Sequence, residues 1–152
     1  MDYEVPKIKV LKFNEANGFY TTPERSKIMS KIRSKNTKPE LLFRKALWKT
    51  GFRYRVHHSK LPGKPDLSNK KPKLAIFIDG EFWHGRNWEE KKPKIKTNKE
   101  FWISKIERNR QRDEENNQKL SATVLRFWES DVKKNLQHCL DTVYECVNKN
   151  SL

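Results

Sequence analysis

Cysteine is nearly missing from this 152-residue chain, which has only Cys139 and Cys146, seven positions apart. Two thiols are too few for a disulfide scaffold, and their spacing does not match a zinc site. Both read as core or surface thiols, and a reducing cytoplasm is the expected compartment. Long apolar runs are also lacking. No stretch approaches the roughly 18–20 residues that span a bilayer, and no basic n-region with an apolar h-region opens the chain. A membrane span is therefore excluded, and secretion is not expected. Hydrophobic residues make up only 34% of the chain, against a usual value of roughly 45–50%. The core must be lean, filled by bulk from five Trp, eight Phe and four Tyr.

The scarcest feature is negative charge in one third of the chain. Residues 21–72 hold 15 basic residues and three acidic ones, whereas residues 1–20 balance at three each and residues 73–152 hold 16 and 13. Nearly all of the net charge of +15 therefore lies in one stretch. Such concentration is the footprint of a polyanionic partner, most often nucleic acid. The three acids kept there are Glu24, Glu40 and Asp66.

Residues 1–20 show no clear period and read as an N-terminal arm. Thr22-Pro23-Glu24 starts a helix with a hydroxyl cap and a proline at the first helical position; Ile28, Met29 and Ile32 form its apolar stripe. Thr37 to Glu40 opens a second helix with a capping-box pattern, for which Leu41, Leu42, Ala46 and Trp48 are the expected buried side. Phe52, Tyr54 and Val56 alternate with arginines as in a half-buried strand. Pro65 to Leu67 begins a short strand or turn, and Leu74–Ile78 is an apolar run of central-strand type. Residues 85–99, with five lysines between 91 and 99, read as a mobile connection. Asn98 caps a long helix to about Leu120, Ala122–Trp128 is a strand, and Ser130 caps a last helix. No repeat appears. The order is that of one α/β domain, residues 21–152, with helices covering a small mixed sheet.

Three clusters carry chemistry-bearing residues: Leu61-Pro62-Gly63-Lys64-Pro65-Asp66; Asp79-Gly80-Glu81-Phe82-Trp83-His84-Gly85; and Glu40 at a helix start. Phosphodiester hydrolysis calls for a hard cation, held by one or two carboxylates. Asp66 and Asp79 are placed for that at strand edges, although either alone reads first as a turn former. Glu40 is either a site carboxylate or the reciprocal half of the capping box. His84, with an unperturbed pKa of about 6.5, suits a general base and equally a structural role. Phe82 and Trp83 are either a hydrophobic plug or a wedge that unstacks bases. His57 and His58 read as loop residues or phosphate contacts.

In order, Arg25-Ser26-Lys27-Ile28-Met29, Thr37–Glu40, Leu61–Asp66, Phe77–His84, Phe101-Trp102 and Phe127-Trp128-Glu129 resemble the very short patch repair endonucleases, a branch of the restriction-endonuclease-like PD-(D/E)xK fold. The resemblance covers over two thirds of the chain. It implies a Mg²⁺-dependent DNA endonuclease, cytoplasmic and nucleoid-associated, that nicks one strand beside a T:G mismatch left by deamination of 5-methylcytosine. It further implies duplex DNA as substrate, partners linked to mismatch repair or DNA methylation, and a monomer. By position, Asp66 is the implied metal-binding aspartate, and the main-chain carbonyl of Ile78 stands where the family uses a threonine's. His84 is the implied general base, with Glu40 in support. Met29, Phe82 and Trp83 are the implied intercalators; Arg25, Lys27 and Lys64 are expected to hold the DNA backbone.

Two departures stand out. Relatives often carry a structural zinc, but Glu81, Arg86, Trp88 and Ser130 occupy the corresponding positions, so none is expected; Glu81 and Arg86 would tie that loop as an ion pair instead. Asp79 replaces a phosphate-contacting histidine, and it is assigned to the metal because an unpaired acid would repel phosphate. Two other readings stand beside this one: a restriction or defence endonuclease with another DNA target, and a non-catalytic DNA-binding module.

Overall fold

Leu74–Ile78 lies within a strand buried on both faces, as its unbroken apolar run requires. In the computed structural model, which describes residues 5–71 and 73–150 (of Asn150 the backbone only), the strands are β1 (Arg55–Val56), β2 (Leu67–Lys70), β3 (Lys73–Asp79) and β4 (Thr123–Trp128). They form one sheet in the order β1-β2-β3-β4. β2 pairs antiparallel with β1 and β3, with Leu67 opposite Ile76, and β4 pairs parallel with β3, with Ile78 opposite Phe127. A parallel neighbour needs a crossover, which residues 80–122 supply. The helices are α1 (Pro23–Ser30), α2 (Lys38–Lys49), α3 (Trp88–Lys91), α4 (Lys99–Lys119), α5 (Glu129–Lys134) and α6 (Leu136–Asn150). This is the expected α/β fold, a small mixed sheet with flanking helices. Among the described residues, no helix is long and apolar enough to cross a membrane.

The chain divides into two compact units. One comprises the described residues up to Ile32 together with Phe82–Glu114; the other comprises Arg33–Glu81 and the described residues from Glu115 onward. The second unit holds the sheet. On one face Leu67, Leu74 and Ile76 pack with Phe43 and Leu47 of α2, Val132 of α5 and Cys139, Leu140 and Val143 of α6. Ala75 and Phe77, which strand alternation turns to the opposite face, meet Leu120, Leu61 and Val124. In the first unit Phe13 and Phe19 stack on each other and meet Phe101 edge-on, so the segment expected as an arm contributes aromatic packing there.

Several elements depart from the sequence pattern. The buried face of α2 is Pro39, Glu40, Phe43 and Leu47, not the expected Leu41, Leu42 and Trp48, which stay exposed. Positions 40, 43 and 47 also satisfy helical spacing, and the tertiary partner chose between two apolar stripes. Ile28 and Ile32, the stripe of the first helix, are 64% and 50% exposed. The strand expected over 52–56 shrinks to two residues. The lysine-rich connection forms α3 and a 3-10 turn at Lys92–Lys94, anchored by the buried Trp88. Asn98 spends its side chain on both backbone groups of Tyr20. The last helix is two helices meeting at Asn135, and Trp128 rather than Ser130 is the residue that precedes the first.

Candidate active-site residues

In the sheet-bearing unit, Asp66 directly precedes β2 and its geometry follows from the prolines around it. Extending the β2–β3 register by two places Pro65 opposite Ile78. Proline has no N–H, so it offers the Ile78 carbonyl no ladder hydrogen bond. The Ile78 N–H is instead taken by the Asp66 carboxylate, Oδ2, at 2.7 Å. In an antiparallel ladder the N–H and C=O of one residue share an edge. The Asp66 carboxylate and the Ile78 carbonyl, paired by the resemblance, therefore sit at one strand edge.

Glu40 joins them. It is 2% exposed, deep for a carboxylate. Its N–H donates to Thr37 Oγ1 at 3.4 Å, and its Oε2 accepts from the Asn36 N–H at 2.9 Å. The capping box is thus present, with the reciprocal bond moved one residue outward. Glu40 Oε1 lies 2.9 Å from His57 Nε2 and 3.7 Å from Arg44, yet it makes no well-oriented hydrogen bond. One ligand atom each from Glu40, His57 and Asp66 lie within 4.8 Å of one another. His57, read from sequence as a loop residue or a phosphate contact, is the missed member of this group.

Asp79, at the end of β3, is buried and accepts from Arg126 Nη1 through both oxygens, at 3.2 and 3.1 Å. Arg126 stands opposite Phe77 in the parallel register, its guanidinium 3.9 Å over that ring. The ligand role expected for Asp79 competes with this ion pair. Glu81 Oε1 accepts from the Ser130 N–H at 2.7 Å, close to the start of α5. Lys64 is exposed in the loop before Asp66, at φ +49°.

In the other unit, residues 82–85 are clamped along one face of α4. Asn109 Nδ2 donates to the Trp83 carbonyl at 2.9 Å, and His84 Nδ1 lies 2.6 Å from Asp113 Oδ2. Gly85, at φ +68°, has the Arg110 Cδ only 2.7 Å from where a Cβ would stand, so a side chain here would be strained and would displace Arg110. Ile106, Asn109, Arg110 and Asp113 are spaced three and four apart, which puts them on one helical face. A carboxylate only accepts, so in neutral His84 the hydrogen sits on Nδ1 and Nε2 carries the basic lone pair. Asp113 gave no signal in the sequence, where it is one charge among many on a polar helix, 29 positions from His84.

Met29, Phe82, Trp83 and Arg25 line one cavity of about 460 Å³ with Trp102, Ile28 and Ile32. Phe82, Trp83 and Trp102 meet edge-on with centroids 5.3–5.7 Å apart. Trp102, part of the Phe101-Trp102 motif, joins this aromatic cluster. Lys27, also on α1, is exposed. Trp88 Nε1 and Lys92 Nζ both donate to Glu107 Oε1, at 3.3 and 2.7 Å; this pairing lowers the Glu107 carboxyl and raises the Lys92 amine.

The chain is similar to known DNA endonucleases. The family model for the DNA mismatch endonuclease Vsr matches residues 17–90. A type II nicking enzyme of Neisseria meningitidis serogroup C, V.NmeDIP, is 52% identical over 130 residues, covering 83% of this chain and 88% of that protein. The type II nicking enzyme V.HpaIIP of Haemophilus parainfluenzae is 54% identical over 119 residues, 75% of this chain and 84% of its own. The DNA mismatch endonuclease Vsr of Escherichia coli K12 is 36% identical over 109 residues, 69% of each chain. At these identities and coverages, and over the Asp66 and His84 segments already described, the chain belongs to the Vsr family of DNA endonucleases.

Proposed function

We propose that this endonuclease depends on Mg²⁺ and nicks one strand of duplex DNA at T:G mismatches left by deamination of 5-methylcytosine. The observation that carries the metal dependence is the buried Glu40 carboxylate, whose Oε1 lacks a well-oriented hydrogen bond while the Asp66 carboxylate lies in the same cluster. Two carboxylates so close repel unless a cation or proton stands between them, and an oxygen-rich donor set suits Mg²⁺. Asp66, the Ile78 main-chain carbonyl and Asp79 would hold it, with the Asp79 charge shared with Arg126. When bound, Mg²⁺ offsets charge on the scissile phosphate and lowers the pKa of water.

The chain's own residues supply the rest of the proposal. His84 accepts the proton of the attacking water at Nε2, because Asp113 keeps the hydrogen on Nδ1 and stabilises the imidazolium that forms. Glu40, assigned by resemblance to support that base, fixes its end of α2 through Asn36 and Thr37. Met29, Phe82 and Trp83 enter the base stack, which a mismatch makes cheaper to open; the shared cavity supports this wedge reading. Arg25, Lys27 and Lys64 hold phosphates without reading sequence. The enzyme works as a monomer on the nucleoid, with residues 21–152 acting as one catalytic domain and residues 1–20 as an added arm.

The names of the relatives favour a second reading, in which the nick depends on a defined sequence context rather than on the mismatch alone. One experiment separates them. T:G-mismatched, matched, methylated and unmethylated duplexes in several sequence contexts are incubated at fixed salt with Mg²⁺ or EDTA. Mismatch nicking in every context supports the first reading, and nicking in one context only supports the second. No Mg²⁺-dependent product from any duplex leaves a DNA-binding module. Asp66→Ala is expected to abolish nicking while sparing binding; an undiminished rate refutes the assignment.

A further inference from the structure

We propose that His57 is a nitrogen ligand of the cation site it forms with Glu40 and Asp66, and that this imidazole moves the site's preference from Mg²⁺ toward Mn²⁺. The inference rests on the metal-dependent reading above and adds to it Glu40 and His57 as ligands beside Asp66, and a selectivity.

The backbone supplies the first argument. His57 sits at φ +47° and Asn36 at φ +57°, a region that side-chain-bearing residues rarely enter and that asparagine tolerates better than histidine. Both left-handed residues converge on Glu40. The Asn36 N–H donates to Glu40 Oε2, while His57 Nε2 lies 2.9 Å from Glu40 Oε1 and 3.2 Å from Asn36 Oδ1. A left-handed histidine persists where its surroundings hold it there, and such positions gather at functional sites. The His57 N–H also donates to the Asp66 carbonyl at 3.1 Å, so the register of β1 on β2 fixes the imidazole relative to Asp66.

Charge supplies the second. Two carboxylates and one imidazole present ligand atoms within 4.8 Å of one another, and the Arg44 guanidinium stands 3.7 Å from Glu40 Oε1. Glu40 Oε1 is buried without a well-oriented hydrogen bond, an arrangement that a cation would satisfy. Oxygen-only sites suit Mg²⁺, whereas an imidazole donor favours first-row transition metals. Of these Mn²⁺ best accepts carboxylates as well.

The test uses the full chain without DNA: wild type, His57→Gln, His57→Asn and His84→Gln, with Mn²⁺ or Mg²⁺ alone. Electron spin-echo spectra of bound Mn²⁺ are expected to show directly coordinated ¹⁴N in wild type and His84→Gln, and none in either His57 variant. By calorimetry, His57→Gln weakens Mn²⁺ binding about tenfold and Mg²⁺ binding much less. Asparagine accepts a left-handed backbone, and matched melting curves in EDTA certify the fold. Should both His57 variants melt early, the triple variant His58→Gln, His84→Gln, His138→Gln leaves His57 as the only imidazole, and its nitrogen signal must remain. No nitrogen coupling in wild type, or equal losses for the two metals, overturns the proposal and leaves His57 as a charge partner of Glu40. Nitrogen coupling in a protein that never nicks sinks the functional reading alone; nicking without coupling sinks this one alone.

Discussion

His84 has a basic Nε2 only while something else holds the hydrogen on Nδ1, and Asp113 Oδ2, 2.6 Å away, is placed to do that. An asparagine at 113 keeps the shape but loses the charge and can present its amide hydrogens to Nδ1, which favours the wrong tautomer. Asp113→Asn is expected to lower the single-turnover nicking rate about 100-fold or more with DNA affinity unchanged. Equal rates for variant and wild type would remove Asp113 from the proton-transfer machinery. Arg126 is the corresponding partner of Asp79, and its Nη1, shared between both carboxylate oxygens, keeps that buried acid from standing alone. Neither pairing is local in sequence, 29 and 47 positions apart.

Among the elements, α4 organises the first unit by offering successive turns to different partners. Its Glu107 collects Trp88 and Lys92, tying α3 and the 3-10 turn to the long helix. Hydrogen bonding from Lys92 is the main reason the Glu107 carboxyl lies below its ordinary 4.5. A carboxyl lowered by folding stabilises the native state above its unfolded pKa and stops doing so as pH falls through the folded value. Glu107→Gln is therefore expected to lower Tm at neutral pH, with the gap to wild type closing as pH drops below 4.5. Parallel melting curves from pH 7 downward check it, and a gap that widens in acid would contradict the argument. In α2 the stripe of Phe43 and Leu47 is buried completely, where truncation to alanine usually costs about 3–5 kcal/mol; its rival stripe of Leu41 and Trp48 is left to solvent.

For the whole molecule, charge distribution is the property with the longest reach. Each phosphate neutralised by a lysine or arginine releases counterions, which steepens the fall of affinity with salt. If Lys27 and Lys64 both meet phosphates, the double alanine variant shows a log K against log salt slope shallower by about two. An unchanged slope would remove both from the DNA surface. The α/β class, the central strand and the Vsr-family motifs were legible along the chain, because an apolar run, proline positions and a charge surplus are local properties. The choice between two apolar stripes on α2, the shortening of β1 and the splitting of the last helix were not legible, since packing partners distant in sequence decide each of them. The same division holds at the candidate site. The sequence alone determined which acids and histidines were on hand, their order, and the basic surroundings that suit a polyanion. Only tertiary structure decided that Asp66 locks onto Ile78, that His57 joins Glu40 and that Asp113 holds His84, because a side chain's protonation and reach depend on neighbours that folding alone brings within hydrogen-bonding distance.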